Sequence, residues 1–367
     1  MQRPFALTAT LASLACLSSV VSAQIIVDTT YDVPTGDRWN YPFNFTPGTR
    51  FTALSFGAID IPGFDDHDGQ FVVGFDTTDL IPPGLGSSSY RIESVRLRAS
   101  IADGGIFEYD PTLDPLGTYL ASDDPDFVPD ADIGRPIELY GVGYRGTFSD
   151  GTPVRIDTWT ETSEYGDSPV VAPAQGNRFA FASVLDDSGQ PVNLSNRLKD
   201  RLAPAPFAIG TTASVAPGDL VPADTTFEFD IERCNSGADL YLRESLDSGV
   251  VRFTIASLQP AVDPTGGPSN PNYPIWYTKE NPLAIPGFAA QLEIRVRIVS
   301  NPADLSSPTD PGVPDGVLTG ADFFEFLSRF QAGDLSVDFA GPTTPNQPDC
   351  VLTGADFFAF LNLFSQG

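Results

Sequence analysis

The chain has 367 residues and a formal net charge of −28, with 48 acidic residues against 20 basic ones, of which only Lys199 and Lys279 are lysines. A surface of that sign repels nucleic-acid phosphates and anionic membrane and favours divalent cations, so no nucleic-acid partner is expected. The single histidine, His67, excludes histidine metal triads and any Ser–His or Cys–His nucleophile that does not use it; no GxSxG or P-loop pattern is present.

The chain opens Met1-Gln-Arg3, runs apolar from Phe5 to Val21, and reaches the small-residue site Val21-Ser-Ala23. This reads as a secretory signal peptide over residues 1–23, and Cys16 would leave with it. Ser13 stands where a lipobox wants Leu. No later stretch has 18 consecutive apolar residues, so no membrane span is expected, and the protein is expected to be secreted or held at the cell surface.

Residues 24–300 carry strand signals and frequent Gly/Pro turns. Phe71-Val-Val-Gly-Phe75 is a short apolar run. Val95, Leu97, Ala99 and Ile101 alternate with Arg96, Arg98 and Ser100. Ile137–Tyr144 and Phe179–Val184 add two more strands. Phe227, Phe229 and Ile231 alternate with Glu228 and Asp230; Val251, Phe253 and Ile255 with Arg252 and Thr254; Leu292, Ile294, Val296 and Ile298 with Glu293, Arg295 and Arg297. Period-two patterns with one apolar and one charged face mean half-buried antiparallel strands. The expected fold is mainly β, an antiparallel β-sandwich or jelly roll with large loop insertions. Residues 193–202 and 238–246 are the two short helices expected here.

Within this body, Asp65-Asp-His-Asp-Gly69 reads as a polar turn, with a structural cation loop on Asp65, Asp66 and Asp68 as the alternative. The string from Asp123 to Asp132 reads as a solvated acidic loop rather than a site. Sugar binding needs exposed aromatic platforms; the candidates are Trp39, Trp159, Trp276 and Tyr277, with Tyr41 and Tyr273 also available. Trp276 and Tyr277 are adjacent in a strand-like stretch, so they face opposite sides. One must leave the core unless an insertion covers it. No carboxylate pair stands out by spacing as a glycosidase couple.

Phe71-Val-Val-Gly-Phe-Asp-Thr77, then Ile81-Pro-Pro, then Ile92-Glu-Ser-Val-Arg-Leu97 is similar to DNRLRE-type β-sandwich modules, with Tyr277-Thr-Lys-Glu-Asn281 and Gln291-Leu-Glu-Ile294 resembling their closing strands. Some of those modules bind carbohydrate, so the resemblance implies a sandwich and a polysaccharide as possible partner.

The C-terminal part, residues 301–367, is duplicated. Val317-Leu-Thr-Gly-Ala-Asp-Phe-Phe-Glu-Phe-Leu327 recurs 34 residues later as Val351-Leu-Thr-Gly-Ala-Asp-Phe-Phe-Ala-Phe-Leu361 with one difference. Asp304 and Asp315 pair with Asp338 and Asp349 at the same offset. Phe323, Phe326, Leu327 and Phe330, and likewise Phe357, Phe360, Leu361 and Phe364, form the apolar stripe of a helix. Phe324 and Phe358 lie off it, covering a flank or facing a partner. The acidic half of each copy reads as a cation loop with ligands at loop positions 1, 3, 5, 7, 9 and 12. In that frame Asp304, Asp315, Val317 (carbonyl), Thr319 and Asp322 hold positions 1, 5, 7, 9 and 12. Asp338, Asp349, Val351, Thr353 and Asp356 do so in the second copy. Both loops carry a seven-residue insertion between positions 1 and 5. Position 3 is Ser306 or Ala340, Asp310 is the nearest substitute in the first loop, and Cys350 replaces the turn glycine, Gly316. A helical hairpin with acidic loops that bind nothing explains the Phe stripes but not Asp at three matched positions.

This segment resembles a dockerin module, of the type common at the C-terminus of secreted planctomycete proteins. The resemblance implies an EF-hand-like pair that folds with Ca²⁺ and docks on a cohesin-like receptor or cell-surface anchor. The docking positions it implies are Gly320 and Ala321 with Phe324, and Gly354 and Ala355 with Phe358. Cys234 and Cys350 are two free thiols on the plainer reading and a disulfide on the other. The function expected is that of a secreted, non-catalytic sandwich, polysaccharide-binding or structural, anchored by its tail; a tethered glycoside hydrolase or polysaccharide lyase is the competing reading.

Overall fold

The structure is a computed structural model that describes residues 25–57, 68–120, 122–166, 178–186, 188–194, 205–235, 237–259, 272–284, 287–341 and 348–366. The expected signal peptide, His67 with Asp65 and Asp66, and residues 195–202 of one expected helix lie outside them.

Alternating strands build two antiparallel sheets around one core. The first runs β1 (Ile25–Tyr31), β13 (Gln291–Ile298), β5 (Tyr90–Ser100), β10 (Thr226–Asp230). Leu97 stands opposite Phe229 on one side and Leu292 on the other, so one apolar face is continuous across the sheet. Its outer face is a lattice of opposite charges. Arg96 meets Asp230 and Glu228, Arg98 meets Glu228 and Glu293, and Glu93 is shared by Arg295 and Arg297. Cross-strand pairs like these each add little, and mainly fix register.

The second sheet runs β2 (Gly36–Asn40), β4 (Gln70–Asp76), β11 (Val250–Ser257), β6 (Ile137–Tyr144), β7 (Ala180–Leu185), β8 (Pro191–Asn193), with β9 (Ala208–Ile209) also on β6; β3 (Thr52–Leu54) pairs with β12 (Ile275–Tyr277). Phe71, Val73, Phe75, Leu139, Phe253 and Ile255 of this sheet share one cluster with Val95, Leu97, Phe227, Leu292 and Ile294 of the first. The molecule is mainly β with antiparallel sheets, an arrangement compatible with a β-sandwich. The outer face of the second sheet is also covered. Val72, Val142 and Ala180 pack under Val154 and Trp159 from the segment after β6. That second cover explains why β4, β6 and β7 read as continuous apolar runs rather than alternating ones.

Among the described residues there are three α-helices. The first, α1 (Ala238–Ser248), buries Tyr241, Leu242 and Leu246 and stops at Gly249, whose positive φ returns its N–H to Leu246 and Ser245. The other two are α2 (Gly320–Ala332) and α3 (Gly354–Phe364). They form a separate small core around Phe326 and Phe360, stacked at 4.2 Å, closed by Ala303, Leu305 and Val337. Leu327, expected on the stripe, is exposed. The stripe narrows on α2 because Phe323, Phe326 and Phe330 already fill the contact.

Cys234, just before α1, is bonded to Cys350 in the tail, with Cα atoms 5.6 Å apart, ordinary disulfide spacing. The plainer reading of two free thiols is corrected. The sequence places these cysteines 116 residues apart, and only tertiary structure brings them together. The tail also meets the body through Arg91, which donates to the Pro302 carbonyl and lies 5.5 Å from the Phe339 ring.

Candidate functional site

The hydrogen bonds that frame the two tail loops repeat from one copy to the other. Thr319 caps α2 by accepting from the Ala321 N–H, while Asp322 Oδ2 accepts from the Thr319 N–H at 2.7 Å. Thr353 and Asp356 do the same for α3. The other carboxylate oxygen reaches back into the loop. Asp322 Oδ1 accepts from Leu305 and Ser306, and Asp356 Oδ1 from Phe339 and Ala340. Each position-12 aspartate therefore joins the start of its loop to the start of its helix. Both are fully buried.

Position 1 closes the loop from the other side. Asp304 accepts from the Asp315 and Gly316 amides, and Asp338 from those of Asp349 and Cys350. The insertions are thus spanned: positions 1, 5 and 6 meet despite seven extra residues. Gly316 and Cys350 both take positive φ, 82° and 61°. The turn needs a left-handed residue, which glycine supplies freely and cysteine does not.

Each loop sets its position-1 acid beside the position-12 acid. Burial raises the Asp304 carboxyl above its usual range, with Asp322 and Asp315 adding repulsion. Burial and the neighbouring Asp356 push Asp338 up to about 7. Two buried like charges are costly unless a cation or a proton relieves them. The donors are all hard oxygens of the kind Ca²⁺ takes, and Asp304 and Asp338 each keep lone pairs free of amide contacts. The full ligand set expected from the sequence is not assembled, however. No three tail carboxylates converge among the described residues. Asp322 and Asp356 spend their oxygens on backbone N–H groups. Asp315 and Asp349 fold onto the amides of Val317 and Val351. Ser306 Oγ accepts from Gly312, closing the insertion, and Asp310 is exposed. What remains for a cation in each loop is the pair of buried acids, with the Thr319 or Thr353 hydroxyl beside it.

The expected docking positions lie on the surface. Phe324 is 71% exposed and Phe358 66%, Gly320 and Gly354 are exposed, Ala321 and Ala355 half-buried.

The sugar-binding candidates fare differently. Trp276 is fully buried, its indole between Phe71 and Phe227, with Nε1 donating to Ser55 Oγ at 3.0 Å. Tyr277 does face the other way, but Ala284, Phe288 and Ala289 cover it and its hydroxyl donates to Asp224. Trp159 roofs the second sheet. None of these three offers a ring face to a glycan. Trp39 is half-buried, stacked on Tyr41 at 4.4 Å with Arg50 over its ring.

One cluster had no signal in the sequence. Asp37 on β2, Glu161 and Glu280 bring carboxylate oxygens within 4.8 Å of one another. Lys279 Nζ sits among them, 2.6 Å from Glu161, in contact with Glu280 and 3.9 Å from Asp37. Burial, then the Glu280 charge, pushes Asp37 up to about 8. The ammonium stands where a metal would, so this is an internal charge cluster joining three distant segments. The positions are more than a hundred residues apart, and no spacing rule could have grouped them.

Compared with known proteins, the chain matches no family model and no curated protein.

Proposed function

We propose that this is an exported, non-catalytic protein: a β-sandwich of jelly-roll type, polysaccharide-binding or structural, attached elsewhere by a dockerin-like, EF-hand-like tail. In this reading Ca²⁺ is held at Asp304 with Asp322 and at Asp338 with Asp356, and the tail docks on a cohesin-like receptor or cell-surface anchor. The observation that carries it is the duplicated exposed phenylalanine. Phe324 and Phe358 occupy the same helix position in each copy and stay solvent-facing, although the small core could have used them. Large exposed aromatics repeated at equivalent sites mark contact surfaces. The disulfide is in keeping with an oxidising, extracytoplasmic compartment.

Burial of Trp159, Trp276 and Tyr277 favours the structural role over sugar binding, with Trp39 left as the residue to test. The competing enzyme reading needs two carboxylates flanking an open cleft, and the Asp37 cluster is closed around Lys279 instead. The experiment is binding of the full-length protein to a panel of purified cohesin domains with calcium or EGTA, comparing wild type with Phe324→Ser, Phe358→Ser and the double variant. Calcium-dependent binding that survives either single change and is lost in the double supports the reading. Binding indifferent to all three removes it.

A further inference from the structure

A second set of oxygens, in the body and unconnected with the tail, meets the requirements of a cation site more closely. Asp110, Asp114 and Asp132 each bring a carboxylate oxygen within 4.8 Å of the other two. Asp110-Pro-Thr-Leu-Asp114 places side-chain oxygens at alternate positions of one short segment, and the return segment supplies Asp130 and Asp132. The two segments meet because Gly134 takes a φ of +110°, with the position of a Cβ only 3.1 Å from both Asp110 Cβ and the Glu108 carbonyl. A side chain there would force them apart.

The hydrogen bonds leave this cluster short of positive charge. Thr112 Oγ1 lies 2.7 Å from Asp110 Oδ1 and 2.9 Å from Asp132 Oδ2, and its one proton can serve only one of them. Arg135 Nη1 is 2.7 Å from both Asp114 and Asp130. That guanidinium is thus engaged by Asp114 and Asp130, and no ion pair of it with Asp110 or Asp132 is seen among the described residues. Asp110 is 3% exposed, and while its Oδ1 accepts from Thr112, its Oδ2 is buried without a hydrogen-bond partner among the described residues. An unpaired, buried carboxylate oxygen is among the costliest polar groups a fold can hold, and a bound cation is an ordinary remedy. The groups answer to that strain in the same sense: burial raises both Asp110 and Asp114, with acidic neighbours adding to the shift. Asp132 is exposed and gives the ion a way in.

The geometry points to a structural Ca²⁺ site formed by Asp110, Asp114 and Asp132, holding the segment 110–114 against the return segment 130–132. An all-oxygen set without nitrogen or sulfur selects a hard ion, and an open, irregular set completed by water suits Ca²⁺ better than octahedral Mg²⁺. The residues differ from those of the tail, so the site stands whether or not the tail binds calcium.

The test is equilibrium dialysis of radioactive calcium with the full chain, run on wild type, Asp132→Asn and Asp110→Asn/Asp132→Asn, each also in an Asp304→Asn/Asp338→Asn background that silences the tail. With the tail silenced, one equivalent of Ca²⁺ should bind, with tenfold excess Mg²⁺ failing to displace it. Asp132→Asn should weaken that affinity at least tenfold. Asp132 is exposed, so the single variant keeps the fold. Melting without calcium should stay level or rise, because a repulsive charge is gone, while the calcium-induced rise in Tm disappears. Unchanged affinity in both body variants, or no calcium bound in the silenced parent, would overturn the site.

Discussion

Removing the disulfide probes how the tail is held. The bond closes a loop of 116 residues. Loop-closure entropy for that length amounts to about 5 kcal/mol at 25 °C. Cys234→Ser/Cys350→Ser should therefore lower the free energy of unfolding in urea by up to ~5 kcal/mol, with oxidised protein spanning residues 24–367 showing no free thiol to Ellman's reagent. A second term separates the bond from the backbone. Cys350 sits at a φ of 61°, a conformation that costs a non-glycine residue about 1–2 kcal/mol. Cys234→Ser/Cys350→Gly removes the bond and that penalty together, so it should be ~1 kcal/mol more stable than the double serine variant. Circular dichroism at 222 nm and tryptophan fluorescence would follow tail and body separately. A loss below ~1 kcal/mol on removing the bond, or a glycine variant no better than serine, would refute the reasoning.

The remaining expectations concern charge and packing. Asp37 titrates at about 8 in the folded chain and near 4 when unfolded. Between those values the folded state holds a proton that the unfolded state has released. Its contribution to stability is therefore present at low pH, falls as pH rises from about 4 to about 8, and is constant above. Asp37→Asn should flatten that part of the Tm–pH curve; identical slopes in variant and wild type would count against the cluster as described. Phe326→Ala should cost about 3–5 kcal/mol and melt both tail helices, because Phe326 stacks on Phe360 at the centre of a very small core. Phe324→Ser should change stability by less than about 0.5 kcal/mol, read from urea midpoints. A large loss there would mean that the ring has a structural contact after all. Trp39→Ala should abolish any signal on a glycan array; a signal that survives would place sugar binding on another surface.

The strands of the body were legible where one face meets water. Val95–Ile101, Phe227–Ile231, Val251–Ile255 and Leu292–Ile298 alternate, and each is a strand with its apolar face inward. The edge strands β1 and β2 carry Asp28, Thr29 and Thr30, or Gly36 and Asp37, and gave no comparable pattern. Their pairing with β13 and β4 is what makes them strands. The aromatic candidates misled because a sequence shows which residues are aromatic but not which insertions cover them. Tyr277 faces away from the main core as its adjacency to Trp276 required, and is buried all the same by Ala284, Phe288 and Ala289.

The two tail helices and the stacked Phe326 and Phe360 were legible in the repeat; the ligand set of the loops was not, because the sequence does not show which carboxylates turn onto backbone amides. Asp322 and Asp356 are helix caps and loop staples in their own right. Their replacement by alanine would lower helicity with or without a bound ion, so that substitution does not test calcium. Asp304 and Asp338 lie away from the helix starts: each oxygen accepts one loop amide and keeps a further lone pair, and Asn keeps an acceptor there while removing the charge. The string Asp123–Asp132 read as a solvated loop because nothing in the sequence joins it to Asp110 and Asp114, and only the fold, with its turn at Gly134, brings Asp132 beside them.

Calorimetric titration of calcium into the full-length protein tests the tail most directly. Wild type should release or absorb heat with two equivalents that Asp304→Asn/Asp338→Asn does not show, and EGTA should reduce the helical signal of wild type alone. Superimposable isotherms for the two proteins would contradict calcium in the tail and leave its acidic loops as capping structures only.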